Sequence, residues 1–150
     1  MSLNHLLRPD ALPDIHCAAQ RIAQAVRSSE RILIVGDFDA DGATSVALAM
    51  LVFKAFGATN VDFLVPNRFE FGYGLSPEIV ELAKARNEQI PGLLITVDNG
   101  IASVDGVARA NEAGIDVIIT DHHLPGSQLP AACAVVNPCL LYTSPSPRDS

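Results

Sequence analysis

Three short apolar runs punctuate the chain: Ile32-Leu33-Ile34-Val35, Leu93-Leu94-Ile95 followed by Thr96, and Val117-Ile118-Ile119. Unbroken runs of this length, rich in β-branched residues, predict strands buried on both faces. Between them the apolar positions recur at helical spacing. Residues 14–28 carry Ile15, Ala18, Ala19, Ile22, Ala23 and Val26, with Pro13 and Asp14 at the start. Residues 43–56 predict a helix begun by Thr44 or Ser45, and residues 61–65 a strand. Residues 77–86 predict a helix with Ser76 as its cap and Glu78 in its first turn, and residues 102–113 one closed by Gly114. Strands and helices alternating in this way imply right-handed crossovers, and so an α/β fold: a parallel sheet with helices on both faces. The chain shows no internal repeat.

The order breaks near the end. Cys139-Leu140-Leu141-Tyr142-Thr143-Ser144-Pro145-Ser146-Pro147-Arg148-Asp149-Ser150 is Ser/Pro-rich after Leu141 and completes no element. The expectation is an incomplete α/β domain over residues 1–138, followed by a tail, 139–150, that is disordered or foreign to the domain. A parallel sheet left unfinished has an open edge able to pair with other chains.

Composition narrows the class. Of the 150 residues, 49% are hydrophobic and 18% charged, which suits a globular domain rather than a disordered one. No apolar run approaches the roughly 20 residues that cross a bilayer, and the first residues lack the basic-then-apolar order of a signal peptide, so the expected location is the cytoplasm. Cys17, Cys133 and Cys139 are an odd count without a Cys-x-x-Cys pair, which predicts reduced thiols rather than a disulfide framework or zinc site. The net charge of −7 opposes nonspecific attraction to nucleic acid.

The chemistry lies directly after the three strands: Gly36-Asp37-Phe38-Asp39-Ala40-Asp41-Gly42, Val97-Asp98-Asn99-Gly100 and Thr120-Asp121-His122-His123. In an open parallel sheet, loops at the carboxyl ends of strands converge. Five Asp and two His would then share one site. Carboxylates crowded together disfavour one another's ionised forms, and a divalent metal relieves the repulsion. If residues 37–41 are extended, Asp37, Asp39 and Asp41 share a face and form a metal cradle. The calcium-loop reading of the same string fails: its twelfth position is Leu48 rather than a bidentate Glu, and a strand precedes it instead of a helix. Asp-Asn-Gly is turn chemistry in its own right, but its place after a strand makes Asp98 the choice for a carboxylate bridging two metals. Asp121-His122-His123 joins an oxygen donor to imidazoles that bind manganese, zinc or iron, or else move protons. Arg68-Phe69-Glu70-Phe71-Gly72-Tyr73-Gly74-Leu75-Ser76 offers an Arg, two glycines and a Ser at a helix start, which suits either phosphate docking or a plain glycine turn with Tyr73 on the surface.

These clusters, in this order, resemble motifs I to III of the DHH phosphoesterase superfamily. The longer strings Ile34-Val35-Gly36-Asp37-Phe38-Asp39-Ala40-Asp41-Gly42-Ala43-Thr44-Ser45, Val65-Pro66-Asn67-Arg68-Phe69 with Gly72-Tyr73-Gly74-Leu75-Ser76, and Thr120-Asp121-His122-His123-Leu124-Pro125-Gly126 are similar to its bacterial single-strand-specific exonuclease branch. The likeness runs from about Ile15 to Pro138. It implies a Rossmann-like DHH domain and a manganese- or magnesium-dependent 5′-to-3′ exonuclease on single-stranded DNA, serving recombination and repair. A single-strand-binding protein and a helicase are the implied partners. By the same resemblance Asp37, Asp39, Asp41, Asp98 and His122 are metal ligands of a two-metal site, and Asp98, His122 and His123 are catalytic. Arg68, Gly72, Tyr73, Gly74, Ser76 and His123 would meet substrate, with Asp121 in support. Members of this branch continue well past the point matching Pro138, so the chain is expected to be an amino-terminal fragment that is inactive alone. Two rival expectations are a phosphodiesterase of the same superfamily acting on short oligonucleotides or cyclic dinucleotides, and a non-catalytic replication scaffold.

Overall fold

Apolar runs with no polar alternation must be covered on both sides, and the computed structural model, which describes residues 8–142, buries them in this way. Ile32–Gly36 forms β1 and Leu93–Val97 forms β3, with every residue buried. The other strands are β2 (Val61–Leu64), β4 (Asp116–Thr120) and β5 (Ala134–Val136). All neighbours pair in parallel, in the order β2-β1-β3-β4-β5.

Five α-helical segments accompany them: α1 (Ile15–Arg27), α2 (Ala40–Ala55), the single turn α3 (Arg68–Phe71), α4 (Pro77–Ala85) and α5 (Val104–Glu112). Strand pleating sends alternate residues to opposite layers. Leu33, Val35, Leu94, Val117 and Ile119 meet Ile79 and Ala83 of α4 and Val107 and Ala110 of α5. Ile32, Ile34, Leu93, Ile95 and Ile118 meet Ala18 and Ala25 of α1 and Val46 and Phe53 of α2. The register is common to the sheet, with Ile34 opposite Ile95 and Ile95 opposite Ile118, so each layer is continuous.

From β1 the chain moves outward to β2, then returns past β1 to β3. The crossovers therefore lie on opposite faces, and a crevice opens between the carboxyl ends of β1 and β3, the switch point where open α/β sheets take ligands.

Three expectations change. Residues 37–41 are not one extended segment, because α2 begins at Ala40, three residues before the predicted start. Asp39 is its N-cap, its Oδ1 accepting from the Gly42 amide at 2.9 Å, and Asp41 sits in the first turn. Carboxylates at a helix start satisfy free amides and favour the helix dipole, which outweighs the Thr44 or Ser45 signal. Gly42 allows this tight entry, since a Cβ there would stand 2.3 Å from the Asp37 carbonyl oxygen. The short strand β5 was not foreseen; its three residues are buried between the two layers. Finally, a 3-10 turn at Pro138–Tyr142 packs Leu140 against the core, so ordered packing continues past residue 138. Residues 143–150 of the expected tail lie outside the described residues. Among the described residues, no helix is long and apolar enough to cross a membrane.

Candidate metal and phosphate site

The three loops after β1, β3 and β4 meet at the crevice. After β1, Asp37 is half-buried and its Oδ1 accepts from the Phe38 amide at 2.7 Å. Asp39 is exposed at the mouth beside it.

After β3, the Asp-Asn-Gly string forms a strained turn. Asp98 has φ 62° and Gly100 φ 110°; the former is uncommon for a residue with a Cβ, and such strain concentrates at functional sites. Asn99 is buried, and its Nδ2 donates to the carbonyls of Val35 (3.0 Å) and Val97 (2.9 Å). This amide lashes the loop to the end of β1. The turn presents Asp98 with only 7% of its side chain exposed, its Oδ1 2.8 Å from His122 Nε2. Burial raises the Asp98 carboxyl above its ordinary value, Asp39 pushes the same way, and His122 and His123 oppose them.

After β4, Asp121 is the anchor. Its side chain is fully buried; Oδ1 accepts from the amides of His122 (2.8 Å) and His123 (3.2 Å) and lies 2.6 Å from His123 Nδ1, while Oδ2 accepts from the Ile101 amide at 3.0 Å. Each carboxylate oxygen thus accepts a backbone amide and shapes the loop. The Asp121 hydrogen bond raises the His123 pKa, with the charges of Asp98 and Asp37 acting in the same direction. Just after β5, buried Asn137 donates to the His123 carbonyl at 2.9 Å. The rings of His122 and His123 are 4.6 Å apart and point toward solvent.

Tyr73 comes from the glycine turn between α3 and α4. Its hydroxyl lies 3.2 Å from His123 Nδ1 and 3.4 Å from the Asp98 carbonyl oxygen, and its ring meets the His123 ring edge-on. Burial, then the charges of Asp121, Asp37, Asp98 and Asp39, push its phenol up to about 12. Four carboxylates therefore act on one hydroxyl, and Tyr73, still 46% exposed, stands where the glycine turn meets the His loop.

Ligand atoms of Asp98, His122 and His123 all lie within 4.8 Å of one another, and they are the one such trio among the described residues. Carboxylate oxygen plus imidazole nitrogen is a donor set that suits manganese, iron or zinc, so the residues present fit a divalent metal. Asp37 and Asp39 flank the trio. Asp41 is exposed and turned into α2, apart from the shared extended face that sequence suggested. In the glycine turn, Gly72 and Gly74 have φ 76° and 79°, while Ser76 spends its hydroxyl on capping α4, accepting from the Ile79 amide at 3.4 Å. Arg68 lies in α3. Asn99, Asn137 and Ser103 were not singled out from the sequence. Ser103 Oγ accepts from the Leu75 amide at 2.9 Å, tying the glycine turn to the start of α5.

The description "DHH family, N-terminal domain" matches residues 31–146. Among curated relatives, the single-stranded-DNA-specific exonuclease RecJ of Escherichia coli is 53% identical over 139 residues, which are 93% of this chain and 24% of that protein. RecJ of Bacillus subtilis is 46% identical over 121 residues, covering 81% of this chain and 15% of the relative. The chain thus spans about a quarter of the length of the relatives it matches most fully. A crystal structure of exonuclease RecJ bound to manganese superposes with a TM-score of 0.79 at 36% identity, covering 90% of this chain and 34% of the other. RecJ of Thermus thermophilus in complex with Mn2+ gives 0.71 at 34% identity, over 92% and 19%. With the family model matching residues 31–146, most of this chain, and the three acidic and histidine loops gathered at one crevice, the chain belongs to the DHH family.

Proposed function

We propose that this chain is the metal-binding part of a 5′-to-3′ exonuclease that hydrolyses phosphodiester bonds of single-stranded DNA, with manganese or magnesium as cofactor. The observation that carries the reading is the meeting of Asp98, His122 and His123 at the β1/β3 switch point, flanked by Asp37 and Asp39. The identity with RecJ relatives and the manganese in their structures support it.

Asp98 and His122 would hold metal, with Asp37, Asp39 and Asp41 as further oxygen donors. Bound divalent metal would offset the clustered negative charge, activate water and stabilise charge developing on phosphate oxygens. His123 has a different part. Asp121 holds its Nδ1 and raises its pKa, so the imidazolium form would donate from Nε2 toward a phosphate oxygen, and Tyr73 stands beside it as a second donor. The turn bearing Gly72 and Gly74, with Arg68 before it and Ser76 after it, would flank the strand.

Activity belongs to the longer protein exemplified by the relatives. The 150-residue chain alone is expected to bind metal weakly and degrade DNA poorly. A cytoplasmic setting fits three unpaired thiols, and a helicase and a single-strand-binding protein fit as suppliers of substrate.

The test has two arms. Electron paramagnetic resonance should detect Mn2+ binding to the folded chain, weakened by Asp98→Asn. Digestion of 5′-labelled single strands by the full-length protein should require manganese or magnesium and vanish with the same substitution. Digestion of cyclic dinucleotides but not DNA would move the reading to the other phosphodiesterases; a folded chain that ignores manganese would favour the scaffold.

A further inference from the structure

Helix α2 leaves the acidic loop carrying little but apolar residues: between Ser45 and Phe56, Lys54 is its one charged side chain. A helix that is apolar all round is ordinarily buried all round. Here only one side is covered, by Val46 and Phe53 against the sheet. On the other side Leu48 is 63% exposed, Leu51 66% and Phe56 67%. The surface continues onto the edge of the sheet through Phe63 and Val65, and Met50 joins them in a groove of about 350 Å³. At its other end Phe56 meets Ile22 and Val26 of α1 across a second, mainly apolar groove of about 400 Å³, with Arg27 on its lining. Contiguous apolar surface of this kind marks a docking face.

We propose that the outer face of α2, with the adjoining β2 edge, is an intramolecular docking surface, covered in a full-length family member by an apolar element from the polypeptide outside this domain. Two observations select that occupant. The chain covers only 24% of the curated relatives, so most of their polypeptide is available to cover it. The face is also mainly apolar, with Lys54 and Arg27 as the cations beside Leu48, Leu51, Phe56, Phe63 and Val65, which suits an apolar helix or strand better than the polyanionic backbone of nucleic acid. An attached element has an effective concentration in the millimolar range, whereas a second copy must bind at its ambient concentration. This inference does not depend on the assigned activity: it concerns a face separate from the Asp98 crevice.

Carbene footprinting with mass spectrometry tests it without any substitution. The 150-residue chain should be labelled heavily at Leu48, Leu51 and Phe56, and the full-length Escherichia coli relative should show a several-fold loss of labelling at the matching positions. Equal labelling in the two proteins would overturn the proposal. So would labelling of the short chain that falls as its concentration rises while the relative stays labelled, an outcome that would assign the face to a second copy.

Discussion

Asp121 Oδ1 lies 2.6 Å from His123 Nδ1, and the carboxylate making that contact has no exposed surface. The pair sets the His loop. Asp121 also takes the amides of His122 and Ile101, so one buried carboxylate positions both histidines and the turn after β3. Asp121→Asn replaces one acceptor oxygen by a donor facing amide protons. Leaving such groups unpaired costs about 1–3 kcal/mol, and urea denaturation should show a loss of that size. An unchanged midpoint would mean the loop is held by other contacts.

Asp98 should behave in the opposite sense. Burial raises its carboxyl, so its favourable contribution to folding is fully present below the ordinary value of about 4, and is lost as pH rises through the raised folded value. At neutral pH the ionised group opposes folding. Asp98→Asn should therefore leave the metal-free melting temperature unchanged or higher while reducing the rise produced by Mn2+. That rise corresponds to about 2.7 kcal/mol when metal stands at a hundredfold its Kd. A variant that melts lower without metal yet keeps the Mn2+ shift would show that Asp98 is structural.

Much of this was legible because burial and period speak through residue type. The runs at Ile32 and Leu93 are strands with no polar face, and their position before acidic loops brought Asp37, Asp39, Asp98, His122 and His123 into one site. What escaped depends on partners far along the chain. Asn99 acts on Val35, 64 residues away, through a backbone carbonyl that has no sequence signature. Likewise Ala134–Val136 is too short to be distinguished from a loop until β4 lies beside it. The start of α2 was missed for a different reason: the same carboxylates that suggest a metal cradle are also good caps, and Asp39 caps its helix whatever else it binds.

Tyr73 offers a probe of the assembled crevice. Its phenol is raised to about 12 by burial and by four carboxylates. The sign follows from linkage: the stabilising contribution is complete below the unfolded value of about 10 and disappears as pH rises through about 12. With Tyr142→Phe leaving Tyr73 as the single tyrosine, absorbance at the phenolate band should titrate with a midpoint near 12. A midpoint near 10 would place Tyr73 in solvent, away from the carboxylates.

Gly42 sets helix propensity against packing at the entrance to the site. In a helix, Gly→Ala ordinarily gains about 1 kcal/mol. At Gly42 the new Cβ would lie 2.3 Å from the Asp37 carbonyl oxygen and 2.8 Å from its Cα, both backbone atoms that yield only if the loop moves. Overpacking of this kind costs about 1–3 kcal/mol, enough to cancel the gain and reverse it. Gly42→Ala should therefore lower stability and, because Asp37 must shift, weaken Mn2+ binding as well. Gly57 provides the comparison. It has open space around it but φ 76°, so Gly57→Ala should cost about 1–2 kcal/mol through its left-handed backbone and leave metal affinity untouched. If Gly42→Ala instead stabilises the chain with Mn2+ binding intact, the acidic loop is free to move and the close approach of Asp37 to the start of α2 does not hold the site in shape.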